Sequence, residues 1–157
     1  TLKTNNPLES VENLIEKNKE LTKQNDELLK EKLNTIAHNL IENAEKINDV
    51  FFIGEIIDLS PDQLRQLSFI IKTFNKNIVA AIAANKSDKA NVSFVINDEV
   101  IKKYNFNTKD LINIAAPIIH GKGGGQPNMA IMGGENKGNY QTLLKEVKKF
   151  IIEKAKV

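Results

Sequence analysis

The first part of the chain repeats leucine at seven-residue intervals. Leu14, Leu21 and Leu28 fall seven residues apart, and Asn18 and Asn25 occupy two of the alternate seam positions. An apolar seven-residue repeat is typical of helices that pack against another helix, and asparagine at the alternate positions favours a parallel register while weakening the pair. The pattern predicts a short, imperfect coiled-coil seam, and these five residues form our dimerisation hypothesis.

Beyond this seam the apolar stripe moves by one residue but keeps helical spacing, at Leu29, Leu33, Ile36, Leu40, Ala44 and Ile47. Asn6 followed by Pro7 is typical of a capped helix start, and no further glycine or proline occurs before Gly54. We predict a helical arm within residues 1–47, about 40 residues and ~60 Å long if it is continuous. Its first half should face another helix and its second half the globular domain. A solvated arm held by the rest of a larger protein is the alternative to self-association.

Residues 48–157 carry the pattern of a sheet covered by helices. Four apolar, β-rich runs predict strands at Val50–Asp58, Ile78–Ala84, Val92–Ile96 and Met129–Met132. Helical patterns separate them, beginning near Ser60, near Asp98, after Thr108 as a cap, and near Asn139. A helix joins the first two strands, which should therefore be parallel, whereas a short turn makes the second and third a hairpin. The predicted fold class is α+β, with a mixed sheet of about four strands.

One segment, Gly121–Asn128, is too rich in glycine and proline for the interior of a helix or strand, and we predict a loop. Its bare N–H groups and Lys122 favour an anion site, and the alternative is a tight turn that serves packing alone. A dinucleotide-binding fingerprint is disfavoured, because that motif follows a strand and opens a helix. A Walker motif is excluded, because no Gly-Lys-Ser/Thr triplet ends the segment.

The longer string around this segment is specific. Ala116-Pro117-Ile118-Ile119-His120-Gly121-Lys122-Gly123-Gly124-Gly125-Gln126-Pro127-Asn128-Met129-Ala130, followed by Gly133-Gly134, closely resembles the signature of the C-terminal, DHHA1-type domain of alanyl-tRNA synthetases. The resemblance extends more loosely from about residue 48 to residue 150. His120 stands where that family usually has glycine, and Gln126 stands where it usually has arginine.

The resemblance implies a part of a larger synthetase that helps hold the elbow of tRNA-Ala and couples aminoacylation with editing. It also implies that this part is not catalytic and carries no cofactor, since ATP, magnesium and zinc are expected only in other domains. The expected partners are tRNA-Ala and the remaining domains. Related DHH phosphoesterases suggest a substrate-binding domain instead, but no Asp-His-His motif occurs in the chain.

The charge of the chain limits how it can bind RNA. The formal net charge is only +2, and Arg65 is the only arginine, so lysines must supply most phosphate contacts. The predicted RNA-contacting residues are Gly121, Lys122, Gly123, Gly124, Gly125, Gln126, Asn128, Lys145, Lys148 and Lys149.

The composition also narrows the classes of chemistry and the setting. His38 and His120 are the only histidines, and neither stands in a metal-ligand spacing or beside a candidate nucleophile. The chain has no cysteine, which is consistent with a cytoplasmic setting. No apolar run approaches the length of a membrane-spanning helix, and we predict no membrane partner.

Overall fold

The computed structural model describes residues 7–135 and 137–155, with the side chains of residues 7–9 and 137 left aside, so the predicted cap Asn6 lies outside the described residues. In chain order the elements are α1 (Pro7–Glu42), β1 (Glu45–Ile47), β2 (Val50–Ile57), α2 (Pro61–Lys72), β3 (Ile78–Ala84), β4 (Ala90–Ile96), α3 (Asp98–Tyr104), α4 (Thr108–Ile119), β5 (Gly121–Gln126), β6 (Met129–Gly134) and α5 (Tyr140–Lys154), with a 3-10 turn at Lys137–Asn139 before α5.

The strands form one mixed sheet in the order β1-β2-β3-β4-β6-β5. Strands β2 and β3 are parallel and joined by α2, whereas every other neighbouring pair is antiparallel. This arrangement confirms the predicted α+β fold, the parallel first pair and the hairpin. The sheet has six strands rather than about four, because both of its edges, β1 and β5, lie in segments predicted as helix and loop.

The core lies on both faces of the sheet. Strand β3 is buried along its whole length, and its residues alternate between two apolar clusters. Helices α1 and α2 cover one cluster, which includes Leu33 and Leu64, and helices α4 and α5 cover the other, which includes Leu111 and Leu143. A strand that is buried on both faces has a continuous run of apolar residues. Strand β3 could be predicted from its sequence because it has such a run.

The two halves of α1 have different surroundings. Leu33, Ala37 and Ile41 in the second half are buried in the core, whereas Leu14 and Leu28 are 63% and 64% exposed. This confirms that the second half faces the globular part of the fold. The helix ends at Glu42 rather than continuing to residue 47, since the next residues pair with β2 as strand β1. No helix in the described part of the chain is long and apolar enough to span a membrane.

Helix caps fix where α2 and α4 begin. Ser60 caps the start of α2, as the sequence predicts, and Gln63 completes a reciprocal capping box with it. The cap of α4 is Asn107 and not Thr108, because the Asn107 side chain accepts hydrogen bonds from the first turn while Asp110 reaches back to its N–H. The Thr108 hydroxyl is thereby free to donate to the carbonyl oxygen of Gln126 at 2.6 Å, which ties α4 to β5.

Candidate nucleic-acid interface

The glycine-rich segment is a strand and not a loop. Residues Gly121–Gln126 form β5, which pairs antiparallel with β6 from Gly121 opposite Gly134 to Gln126 opposite Met129. Pro127 and Asn128 make the turn between the two strands. The prediction of a loop was wrong because an edge strand is held by backbone hydrogen bonds to its neighbour and does not need side chains to bury.

Close approach of the two strands explains most of these glycines. A Cβ atom on Gly121 would overlap the carbonyl oxygen of Gly133, and a Cβ atom on Gly123 would overlap the side chain of Met132. Gly124 differs, because a Cβ atom there would have no neighbour within 4 Å. Packing therefore requires glycine at some positions of β5, while Gly124 leaves open space that packing does not use.

His120 ends helix α4 in the left-handed conformation, with φ 50° and ψ 54°. Its N–H donates to the carbonyl oxygen of Ala116, and its side chain is exposed. Glycine adopts this conformation at lower cost than histidine, so the family's usual glycine has a structural reason here. His120 acts as a helix terminus, and the described residues contain no group of three histidine, cysteine, aspartate or glutamate side chains that could hold a metal ion.

The remaining predicted residues of the hairpin have different roles. Lys122 is exposed and forms no ion pair with a described residue. Asn128 holds the turn, since its Nδ2 donates to Asp98 at 3.1 Å and its carbonyl oxygen accepts from the N–H of Ile96 at 2.9 Å. Lys122 is thus the residue of this hairpin with a charge available to phosphate.

Two of the predicted lysines of α5, Lys145 and Lys148, lie apart from β5. Lys145 and Lys148 line a separate groove beside α1 and β2, where Lys148 pairs with Glu45 at 2.6 Å. Lys149 lies beside Ile114 and Glu146. Strand β2 is four strands from β5, which corresponds to about 19 Å at the usual strand spacing. Contact of these lysines with RNA stays a prediction, but the groove of Lys145 and Lys148 lies apart from the glycine strand.

A second groove, between α2 and the β5–β6 hairpin, was not predicted from the sequence. It has a volume of about 440 Å³, and its lining comprises Arg65, Phe69, Lys72, Gly124, Gly125, Gln126, Met129, Ala130 and Ile131. The signal that could have revealed it is Phe69, a large aromatic residue outside the apolar stripe of α2, between the only arginine and a lysine. The groove joins the open side of Gly124 to the exposed face of α2.

Comparison with known proteins places the chain in a family. Residues 48–153 match the DHHA1 domain. The chain belongs to the DHHA1 domain family. It is 29% identical over 148 residues to the alanine–tRNA ligase of Christiangramia forsetii, covering 94% of this chain and 17% of that protein. It is 35% identical over 130 residues to the alanine–tRNA ligase of Lactobacillus johnsonii, covering 82% of this chain and 15% of that protein.

Solved structures give the same relationship. The DHHA1 fold of this chain is similar to the C-Ala domain of Aquifex aeolicus alanyl-tRNA synthetase, with a TM-score of 0.60 and 26% identity. The similarity covers 70% of this chain and 98% of that domain. A DHH-domain member of a family of ribosomal proteins shares the fold, at a TM-score of 0.52 and 15% identity over 78% of this chain and 31% of that one. The chain spans only about one sixth of the length of the curated relatives that it matches.

Proposed function

We propose that this chain works as the tRNA-binding C-terminal part of an alanine–tRNA ligase, where it helps hold the elbow of tRNA-Ala and couples aminoacylation with editing. The observation that carries the proposal is its similarity to nearly the whole of the C-Ala domain, together with alanine–tRNA ligases that align with up to 94% of the chain. The proposed partners are tRNA-Ala and the remaining domains of the synthetase.

The exposed hairpin gives this proposal a physical basis. The folded elbow of a tRNA presents dense phosphate and exposed bases, which proteins recognise through cations and stacking surfaces more than through groove readout. Strand β5 offers the unpaired cation of Lys122 at an exposed sheet edge. Because the net charge of the chain is only +2, local cations rather than a general basic surface have to supply the phosphate contacts.

The proposed role is not catalytic. We expect the chain alone neither to activate alanine nor to hydrolyse mischarged tRNA, and we expect ATP, magnesium and zinc to bind elsewhere in the parent synthetase. Adenylate-exchange and deacylation assays on the pure protein test this. A turnover that a single substitution in this chain abolishes would contradict it.

The test of tRNA binding uses Lys122→Ala. If Lys122 contacts phosphate, this change should weaken binding to tRNA-Ala and lower the slope of log affinity against log salt by about one unit. The free energy of unfolding should stay within about 0.5 kcal/mol of the wild type, because the side chain is exposed. Titrations with tRNA-Ala and with an unrelated tRNA, each at two salt concentrations, give the affinity, the slope and the selectivity.

Lys86→Ala is the matched control for this test. It removes the same charge from an exposed position after β3, three strands away from β5. Its salt slope should equal that of the wild type. No binding of tRNA-Ala by the wild type, or equal affinity for both tRNAs, would contradict the proposed function. An unchanged slope for Lys122→Ala in a protein that does bind would remove only Lys122 from the interface.

Self-association through α1 is the second candidate function, and the exposure of the leucine seam favours it. Val11, Leu14, Leu21 and Leu28 are each at least half exposed, so this apolar stripe has no partner among the described residues. A parallel pair of α1 helices would bury it. Each buried leucine contributes about 1.5–3 kcal/mol, and the asparagines at the alternate positions offset part of that gain, so we expect a weak dimer.

Sedimentation tests the seam. The double substitution Leu14→Asp/Leu21→Asp should keep the protein monomeric at concentrations where the wild type shows an increased average mass. The stability of the globular part should not change, because both side chains are exposed. Equal masses for the two proteins over a wide concentration range would rule out this interface.

A further inference from the structure

Phe69 is exposed in a way that the fold does not require. Helix α2 buries Leu64, Leu67 and Ile71 against the sheet, whereas Phe69 points away from that stripe and is 53% exposed. Beyond α1, it is the one large apolar side chain in the described residues with this much exposure. Aromatic rings that bind bases by stacking have this combination of an apolar face and an accessible position.

Two cations flank Phe69 on the same side of α2. Arg65 lies one helical turn before it and Lys72 lies three residues after it, and all three side chains line the 440 Å³ groove beside β5. No acidic residue lines this groove, and neither cation forms an ion pair with a described residue. The groove therefore carries positive charge on both sides of an aromatic ring.

The hairpin wall of the groove has no side chain at two of its positions, although Gln126, Met129 and Ile131 also line it. Gly124 and Gly125 line it, and a Cβ atom on Gly124 would project into open space. The space beside Gly124 is therefore open to a group that lies against Phe69. The volume falls within the range of about 300–1,000 Å³ that is typical of clefts for small ligands and their fragments.

We propose that the groove between α2 and β5 binds an unpaired nucleobase of RNA, with Phe69 stacked on the base and with Arg65 and Lys72 holding the phosphates on either side of it. This proposal rests on the proposed tRNA-binding function and identifies a base-binding site within it. Charge complementarity favours a nucleotide over an apolar peptide, because a peptide would leave both cations without partners.

The absence of tryptophan from the chain allows a direct test. Phe69→Trp places the only tryptophan of the chain at the proposed stacking position, and stacking on a base should quench its emission. We expect saturable quenching by tRNA-Ala and by a single-stranded oligoribonucleotide. Inorganic polyphosphate, which supplies phosphate without bases, should quench much less. Asn85→Trp is the matched control, because it places tryptophan at an exposed, uncharged position after β3, three strands away from β5, where RNA should leave the emission unchanged.

Affinity measurements give a second, independent readout. Phe69→Ala should weaken binding of the oligoribonucleotide about 5- to 150-fold, the range expected for loss of one stacked base, whereas Phe69→Tyr should retain it. Arg65→Gln and Lys72→Gln should each lower the salt slope by about 0.7 unit. Gln66→Ala, an exposed change beside Arg65 on the same helix but outside the groove, should leave both affinity and slope unchanged.

The possible failures separate this inference from the proposed function. If tRNA-Ala binds but neither quenches Phe69→Trp nor binds Phe69→Ala more weakly, the base-binding groove is wrong and the tRNA-binding function stands. If the oligoribonucleotide quenches Phe69→Trp but tRNA-Ala binds no better than an unrelated tRNA, the groove stands and the specific function is wrong. Quenching by polyphosphate equal to that by RNA would show an anion site without base stacking and would overturn the inference.

Discussion

The two edges of the sheet are held in different ways. At one edge, side chains fasten β1 and the turn after it to the helices: Lys148 pairs with Glu45, Lys103 and Tyr104 both bond to Asp49, and Asn48 donates to the carbonyl oxygen of Ala155. At the other edge, β5 carries four glycines and is fastened by backbone pairing to β6. The β1 edge adds ion pairs and side-chain hydrogen bonds to its backbone pairing with β2, whereas the β5 edge pairs with β6 at a distance that Gly121 and Gly123 allow.

This difference suggests how the two edges can be used. An edge tied by side chains is stabilised, and the cation of Lys148 in the groove beside it is already paired with Glu45. An edge made of glycine brings its backbone close to β6 and leaves the groove above Gly124 accessible. The β1 edge should therefore respond to pH, whereas the β5 edge should respond to added volume.

Added volume should give the largest effect, and it should depend on the position within β5. Gly123→Val should lower the free energy of unfolding by about 1–3 kcal/mol, because its Cβ atom would overlap Met132 and force the strands apart. Gly124→Val should stay within about 0.5 kcal/mol of the wild type, because no atom lies within 4 Å of the new Cβ atom. Urea unfolding of both variants gives the comparison.

Equal losses of stability for the two valine variants would contradict this account of β5. The same pair also tests the groove. Gly124→Val should weaken RNA binding without a loss of stability, because the valine side chain occupies space in the groove. The backbone at Gly124 does not oppose valine, since Gly124 is not among the described glycines with positive φ.

A smaller gain in stability is expected at the junction between α4 and β5. His120→Gly should raise the free energy of unfolding by about 0.5–1 kcal/mol. Glycine removes the steric cost of the left-handed conformation, but its larger conformational entropy in the unfolded state offsets part of that gain. Asn105→Gly is a useful parallel, because Asn105 ends α3 in the same conformation. Asparagine tolerates that conformation better, so the gain there should be smaller. A loss of stability in His120→Gly would show that the imidazole makes a compensating contact.

The smallest effect should appear at the β1 edge as a change in pH dependence. The hydrogen bond from Lys103, and then that from Tyr104, lowers the pKa of Asp49 below its usual value of 3.8. A lowered carboxyl pKa adds stability that is present above the unfolded-state pKa and is lost as pH falls through the folded-state pKa. Wild-type stability should therefore decrease between about pH 5 and the lowered pKa, and Asp49→Asn should decrease less over that window.

Urea midpoints measured from pH 3 to pH 7 give this comparison. Asp88→Asn is the control, because it removes an exposed carboxylate from the turn between β3 and β4. It should retain the acid dependence of the wild type. The same dependence in Asp49→Asn as in the wild type would show that the cluster around Asp49 adds nothing to stability.

The interior of the fold was predictable from sequence, and the edges were not. Strands β2 and β3 carry long apolar runs, and Ser60-Pro61 marks the start of α2, because burial and capping each demand particular residues. Strand β1 has only three residues and continues the helical stripe of α1, so its pairing with β2 gives no local signal. Residues 121–126 form a strand because their backbone pairs with β6, and their own side chains give no signal of it.

The candidate site was predictable only in part, for a related reason. Lys122 and the glycines could be identified because they stand in one segment. The groove could not, because Phe69 and Gly124 are 55 positions apart in the chain and meet only through the packing of α2 against the hairpin. The charge of Lys145 and Lys148 favours grouping them with the glycines, but the order of the strands separates their groove from β5.

Only the second half of α1 is buried in the core, so the first half extends away from it. The helix has 36 residues, and roughly 39 Å of it precede Leu33, where burial in the core begins. A tilt of α1 by about 10° about Leu33 would move the start of the helix by about 7 Å. Small repacking around Leu33, Ala37 and Ile41 would therefore change how far the groove beside β5 lies from anything attached to the other end of the helix. The core contacts of α1 therefore affect the distance between the start of this helix and the groove, in addition to the stability of the fold.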